Sequence, residues 1–258
     1  MKKIAIVIPA YNEEKRIGPT LEAYGSFFDK LELQRKVDCK IYVVINNTTD
    51  KTEEIVKKYS KKYKRVSYVD LLQGGKGYAV IQGFKNLLSK KFDLLGFVDA
   101  DMATSPEEFY KLIKEIKNHE GVIADRYLPE SNISPKPSIS RLFAKRLFNF
   151  LIRSLLILPF GDTQCGAKIF KKEALSKVIS RISMSQWAFD VELLYHFNKM
   201  GYVIKSAPTN WFDKKYSTLN FWSAGPFMAL GVLRLRILNS PFRRFMKIYD
   251  KLIGFIPK

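Results

Sequence analysis

The chain has 258 residues, is 47% hydrophobic and 14% aromatic, and carries a formal net charge of +19. This composition excludes a disordered polyelectrolyte and is enough for one large α/β domain with a substantial core. The two cysteines, Cys39 and Cys165, form neither a CxxC pair nor a disulfide framework, which fits a reducing compartment.

MKKIAIVIPAYNEE opens with a short apolar run but has no small-residue cleavage site, so no secretory signal is expected. KIAIVIP (3–9) predicts a strand covered on both faces. Asn12 is expected to cap a helical stretch opening with Glu13 and Glu14. KIYVVIN (40–46) predicts a second strand, followed by a helix over 49–63 with acids early and lysines late. RVSYVDLL (65–72) predicts a third strand, and GGKGYAVIQGFKNLL (74–88) a glycine turn into a helix. Residues 92–98 predict a fourth strand. Ser105-Pro-Glu-Glu predicts a capping box with proline in the first turn. GVIADRY (121–127) predicts a fifth strand. Such alternation predicts a parallel, doubly wound sheet. Ligands bind such sheets at the strand carboxyl ends. PAYNEE, NNTTDKT, QGGKG, DADMATS and ADRY all fall there.

The second half differs. ISRLFAKRLFNFLIRSLLILPF (139–160) is apolar but interrupted by Arg141, Lys145, Arg146 and Arg153, too charged to span a membrane. It fits a basic amphipathic helix at a membrane surface and, equally, a core helix with a wet stripe. From Lys214 onward there are nine basic residues against one acid, Asp250, and Trp222 and several Phe stand beside arginines. There the membrane-surface reading is favoured. The chain is therefore divided into a catalytic region, 1–212, and a basic amphipathic, membrane-associating extension, 213–258. No spanning helix is expected.

Two carboxylates, Asp99 and Asp101, stand at the end of the buried fourth strand. Their repulsion raises one pKa unless a cation intervenes. Hard divalent ions such as Mg²⁺ or Mn²⁺ take such oxygens and leave positions for phosphates. In the glycine turn, Gly74, Gly75 and Gly77 let the backbone approach an anion at a helix N-terminus, and Lys76 adds a cation. The turn is neither a dinucleotide fingerprint nor a Walker loop. His119, His196 and Cys165 are read as packing residues, and Trp211 and Trp222 as core or interface anchors.

VIPAYNEEKRI, KGYAVIQG, DADMAT, GDTQCGAKIF, WAFDVELLYHFNKMGY and NWF…FWS…LRLRIL follow in order from Ile4 to Leu238. Together they resemble the family 2 glycosyltransferases of the GT-A fold, most nearly the dolichyl-phosphate β-glucosyltransferase and dolichyl-phosphate mannose synthase branch. The resemblance implies a Rossmann-like, mostly parallel sheet flanked by helices, with C-terminal amphipathic helices on a membrane surface. The implied reaction is inverting transfer of a sugar, glucose favoured, from a nucleotide-sugar to a polyprenyl or dolichyl phosphate. By resemblance, Pro9, Tyr11, Glu13, Asn46, Lys76, Gly77, Asp99, Ala100 and Asp101 contact the donor. Asp99 and Asp101 hold Mg²⁺ or Mn²⁺. Arg126, Arg141 and Lys145 meet the acceptor phosphate. Asp101, Asp162, Gln164, Asp190 and the stretch 187–192 line the reacting centre, with Asp162 and Asp190 the bases, if one is used, or structural ion pairs. The implied location is peripheral, at an anionic membrane on its cytoplasmic face.

Two departures stand out. Where the family has an acid that reads the base, this chain has Asn46, whose amide can both donate and accept. Where the family pairs serine with lysine after NW, Ser217 precedes Thr218, so Lys214 or Lys215 would have to reach the diphosphate. Rival readings are a mannose synthase using GDP-mannose, a sugar nucleotidyltransferase, and a basic nucleic-acid-binding protein. A nucleotidyltransferase wants a glycine-rich loop near the first strand, and PAYNEEKRI is not one. Nucleic-acid binding accounts for the charge but not for Asp99 and Asp101, and nucleic acid is not an expected partner.

Overall fold

The computed structural model describes residues 1–136, 139–183, 188–212 and 221–245, with no side-chain account at 139–141, 143–145, 221–227 and 244–245. The first half runs β1 (Lys2–Ala10), α1 (Ile17–Leu33), β2 (Val37–Asn46), α2 (Thr52–Lys62), β3 (Val66–Leu71), α3 (Lys76–Leu88), β4 (Leu94–Val98), α4 (Pro106–Glu115) and β5 (Gly121–Asp125). The second half runs β6 (Asn132–Ser134), α5 (Ile139–Leu156), β7 (Ala167–Lys171), α6 (Lys172–Ile179), α7 (Phe189–Lys199), β8 (Ile204–Pro208), β9 (Asn210–Phe212) and α8 (Phe221–Leu238).

Seven strands form the main sheet in the order β3-β2-β1-β4-β7-β5-β8, and β6 pairs with β9 apart from it. Because side chains alternate along a strand, the apolar runs divide between two cores. Ile4, Ile6 and Ile8 of β1 and Ile41, Val43 and Ile45 of β2 pack on one face under α1 and α4. Ala5, Val7, Tyr42 and Val44 pack on the other, under α3 and α6. Strand order reverses between β1 and β4, which opens a crevice at their carboxyl ends.

One strand departs from the parallel sheet that alternation alone predicts. β7 runs antiparallel between β4 and β5. The preceding GDTQCG segment already lies at the carboxyl end of the sheet, so the next strand has to run back down. The register Val98↔Ala167 sets that segment beside Asp99.

Two local expectations are also corrected. Asn12 does not cap α1. It has φ 51°, and its side chain accepts from Thr48 and Thr49 instead. Ser105 caps α4, accepting from the Glu108 amide at 3.4 Å, but Glu108 turns away to Asn210 and Lys111 rather than closing a box.

Helix α5 is buried along one side only. Ile152 and Leu156 join the core, while Leu147, Phe150, Leu151 and Leu155 are exposed. Helix α8 inserts Val232 and Leu235 into the same core. Among the described residues no helix is long and apolar enough to cross a membrane.

Helix α3 sits close on the sheet. A Cβ at Gly83 would lie 2.7 Å from Val7 Cγ1 and 3.0 Å from Val44 Cγ2, both in the core. Gly83→Ala should therefore lower stability by about 1–3 kcal/mol through overpacking, less the roughly 1 kcal/mol that alanine gains in a helix. A raised urea midpoint would contradict this close seating.

Candidate active site at the strand carboxyl ends

The PAYNEE and NNTTDKT loops form one lock. Asn12 Oδ1 accepts from Thr48 Oγ1 and from the Thr49 amide, both at 2.9 Å. The Glu13 amide donates to Thr52 Oγ1 at 2.7 Å, and the Glu14 amide to Asp50 at 3.1 Å. Pro9 is buried in β1, whereas Tyr11 is exposed at the rim. The Glu13 carboxylate takes a two-point ion pair from Arg16 at 2.5 and 2.6 Å. Burial nevertheless pushes this carboxyl up to about 7, with Asp101 and Asp99 adding to the rise and Arg16 opposing it.

Asn46 is 1% exposed. With its amide oriented by its surroundings, the nitrogen donates to the Ala10 carbonyl at 3.0 Å and the oxygen accepts from the Gly75 amide at 3.1 Å. It thus ties the ends of β1 and β2 to the glycine turn. Gly75 has φ 114°, a conformation that favours glycine, and it turns the chain into α3. Gly77 is buried in that helix's first turn. Lys76 then reaches Asp99, Nζ to Oδ1, at 2.6 Å.

The Asp99 amide donates to the Gly166 carbonyl at 3.1 Å. A Cβ at Gly166 would fall 1.8 Å from Asp99 Oδ2, so only glycine allows this approach. Ala100 is buried, and its carbonyl accepts from Thr20 at 2.7 Å. Asp101 Oδ1 accepts from the Ala103 amide at 2.9 Å. Burial, then the neighbouring Asp99 charge, raise the Asp101 carboxyl above its ordinary range.

On the far side, Arg126 grips Asp162 with Nε at 2.6 Å and Nη2 at 3.0 Å, and its guanidinium lies 4.9 Å over the Trp211 ring. Burial works to raise the Asp162 carboxyl, but Arg126 outweighs it and holds it below the usual range. The Gln164 backbone N–H donates to Asp162 Oδ1 at 3.1 Å. Asp190, in the first turn of α7, accepts from Lys168 at 2.5 Å and lies 4.0 Å from Lys76.

The structure thus brings together Glu13, Asn46, Lys76, Asp99, Asp101 and Asp190, with Arg126, Asp162 and Gln164 beside them. Arg141, Lys145 and Trp222 have no described side chain, and Trp187, Lys214, Lys215, Ser217 and Thr218 lie outside the described residues. The packing reading of His196 and Cys165 agrees with their burial, and burial pushes the Cys165 thiol up to about 12. Sequence reasoning missed Gly166, Arg16 and Lys168. The signal for Lys168 was a lone lysine inside the apolar run AKIF.

Residues 5–179 match the family model of glycosyl transferase family 2. The chain belongs to that family. This glycosyltransferase is 31% identical over 262 residues to a mouse dolichyl-phosphate beta-glucosyltransferase, covering 94% of this chain and 78% of the relative. The human protein of the same name is 30% identical, with the same two coverages. Among solved structures, glucosyl-3-phosphoglycerate synthase from Mycobacterium tuberculosis with UDP superimposes with a TM-score of 0.63 at 18% identity, covering 92% of this chain and 79% of that one. The same synthase with Mn²⁺, UDP-glucose and glycerol 3-phosphate gives 0.64 over the same shares. At such identity these structures establish the shared fold.

Two predictions follow from the geometry. Gly166→Ala should leave a folded protein whose Asp99 carboxylate is displaced, with transfer activity falling at least about tenfold; activity within twofold, roughly, would contradict the close approach. The folded-state pKa of Glu13, about 7, lies above its ordinary 4.5. The folded protein then binds this proton more tightly than the unfolded chain, so the contribution is full below about 4.5 and is lost as pH rises through about 7. Stability of the wild type should decline across that window more steeply than that of Glu13→Gln, as read by urea unfolding at several pH values. Parallel profiles would contradict the burial argument.

Proposed function

We propose that this protein transfers glucose from UDP-glucose to a polyprenyl phosphate of the dolichyl type, with inversion to a β-linked product. The observation that carries the reading is the Asp99–Asp101 pair, with Lys76 beside it, at the mouth of the β1/β4 crevice. The dolichyl-phosphate beta-glucosyltransferases matched over 94% of the chain support the choice of sugar and acceptor.

The residues fit a divalent metal. Asp101 offers a hard oxygen at a site short of positive charge, since burial and Asp99 both raise its carboxyl. No cluster of three or more metal-ligating side chains occurs among the described residues. A site of two carboxylates that leaves positions for water and phosphate suits Mg²⁺ or Mn²⁺. Asp101 and Asp99 would hold the ion, and when bound it would supply charge neutralisation for the departing diphosphate.

The rest is done by the chain. The N-terminus of α3 and Lys76 face the donor phosphates. Glu13, Pro9 and Tyr11 border the nucleotide, and Asn46 supports the turn from behind, its amide groups already paired. Arg126, held by Asp162 and Trp211, presents its remaining donors to the acceptor phosphate, with Arg141 and Lys145 assigned to the same anion. A phosphate oxygen of the lipid bonds to the sugar C1 as the bond from C1 to the diphosphate oxygen breaks, and the electron pair leaves on that oxygen. The attacking oxygen is already anionic, so no strong base is needed. Asp162 stays ionised against Arg126, and Asp190 pairs with Lys168, as orienting groups.

The exposed Leu147, Phe150, Leu151, Leu155 and Ile157 beside exposed Arg146 support peripheral attachment to an anionic membrane. We assign the segment 213–258 to the same surface and the active site to the cytoplasmic face, in keeping with the free, buried Cys39 and Cys165.

The test is a transfer assay with Mn²⁺, a polyprenyl phosphate, and UDP-glucose or GDP-mannose in parallel, read by mass spectrometry. Glucosyl-phosphoprenol is expected, and Asp101→Asn should reduce it by at least about a hundredfold with the fold intact. Product from GDP-mannose alone would overturn the choice of sugar. Failure of anionic liposomes to pellet the protein would overturn the membrane assignment.

A further inference from the structure

Four charges of alternating sign cross the mouth of the site. Lys168 meets Asp190 at 2.5 Å, Asp190 lies 4.0 Å from Lys76, and Lys76 meets Asp99 at 2.6 Å. The two lysines differ in freedom. Lys168 is fully buried, also donates to the Cys165 carbonyl at 2.6 Å, and lies 5.2 Å from the centre of the Phe97 ring. It is a fixed counter-ion for Asp190. Lys76 stands on the first residue of α3, its side chain 39% exposed, with one close partner and a looser one. Desolvation at the strand mouth disfavours its charge, but the carboxylates of Asp99 and Asp190 more than offset this and keep it an ammonium.

Asp99 has little room to serve two cations. Its Oδ2 is tucked against Gly166, and its Oδ1 carries the Lys76 ammonium. A metal that enters alone must displace that ammonium without offering it another anion. A diphosphate that enters alone finds Lys76 already paired. When both enter, Asp99 loses one cation and gains another, while Lys76 gains the diphosphate and keeps Asp190 as its second neighbour.

We propose that Lys76 is an exchangeable counter-ion, seated on Asp99 while no donor is bound and transferred to the diphosphate when metal and donor enter together. The proposal rests on the metal–diphosphate reading of the site. It makes metal and nucleotide affinities mutually dependent, and such coupling is reciprocal.

The experiment is isothermal titration calorimetry on the full chain, with Mn²⁺ alone, UDP alone in chelator, and UDP at saturating Mn²⁺. The coupling is the factor by which Mn²⁺ strengthens UDP binding. Comparing variants cancels the affinity of Mn²⁺ for UDP in solution. In Lys76→Met, Mn²⁺ alone should bind about tenfold tighter, UDP alone should bind more weakly, and the coupling should shrink by at least about fivefold. Lys76→Arg keeps the charge and can fork onto Asp99, so it should bind Mn²⁺ alone no better than the wild type. If both single affinities change in Lys76→Met but the coupling does not, Lys76 is a static charge and the exchange is overturned. If the wild type shows the coupling and neither variant alters any affinity, the exchange is again overturned while the functional reading stands. If the wild type binds neither Mn²⁺ nor UDP, the functional reading itself fails and the exchange falls with it.

Discussion

Strand β4 is buried on both faces, and Asp99 follows directly at its end, with Asp101 two residues on. Two carboxylates so close to a core need positive charge nearby, and much of the surrounding structure meets that need. Lys76 reaches Asp99 because Gly75 turns the chain and because Gly83 lets α3 lie close on β1 and β2. Asn46 fixes the turn from behind. The antiparallel β7 follows directly on Gly166, set against Asp99, and carries Lys168 to Asp190. The sheet is thus less a platform for the site than the reason its charges must be arranged as they are.

The two sides of the crevice are built differently. On the side proposed for the acceptor, Arg126, Asp162 and Trp211 form a buried ion pair stacked on an indole, an arrangement suited to holding one orientation. On the side proposed for the donor, Lys76 has a single close ion-pair partner on a partly exposed side chain. A rigid half and a half with the exchangeable lysine proposed above suit a reaction in which one phosphate attacks and another departs. The exposed apolar side of α5 is the surface that the proposed membrane attachment would use.

Much of this was legible in the sequence where a pattern is local. The apolar runs of β1, β2 and β4 and the motifs at their ends depend on alternation and chain order, and they fell where the pattern placed them. The direction of β7 was not legible, because five residues entering from the carboxyl end of a sheet carry no mark of direction. Asn12 misled because its side chain bonds to Thr48 and Thr49, distant in sequence, so a helix cap was the nearest local explanation. The link from Asn46 to Gly75 was hidden in the same way, because no local pattern records it. Lys168 went unnoticed because its partner, Asp190, lies on a helix beyond the next one, and only the folded chain brings the two charges together.

The central claim, that the carboxylates at the end of β4 hold a metal–diphosphate, is tested most directly by crystals grown with Mn²⁺ and UDP and an anomalous difference map collected at the manganese edge. The account predicts one strong peak within bonding distance of the Asp101 carboxylate and of the diphosphate, with the Lys76 ammonium moved off Asp99. A manganese peak elsewhere, or none with UDP bound, would contradict it, and Lys76 still seated on Asp99 would contradict the exchange alone.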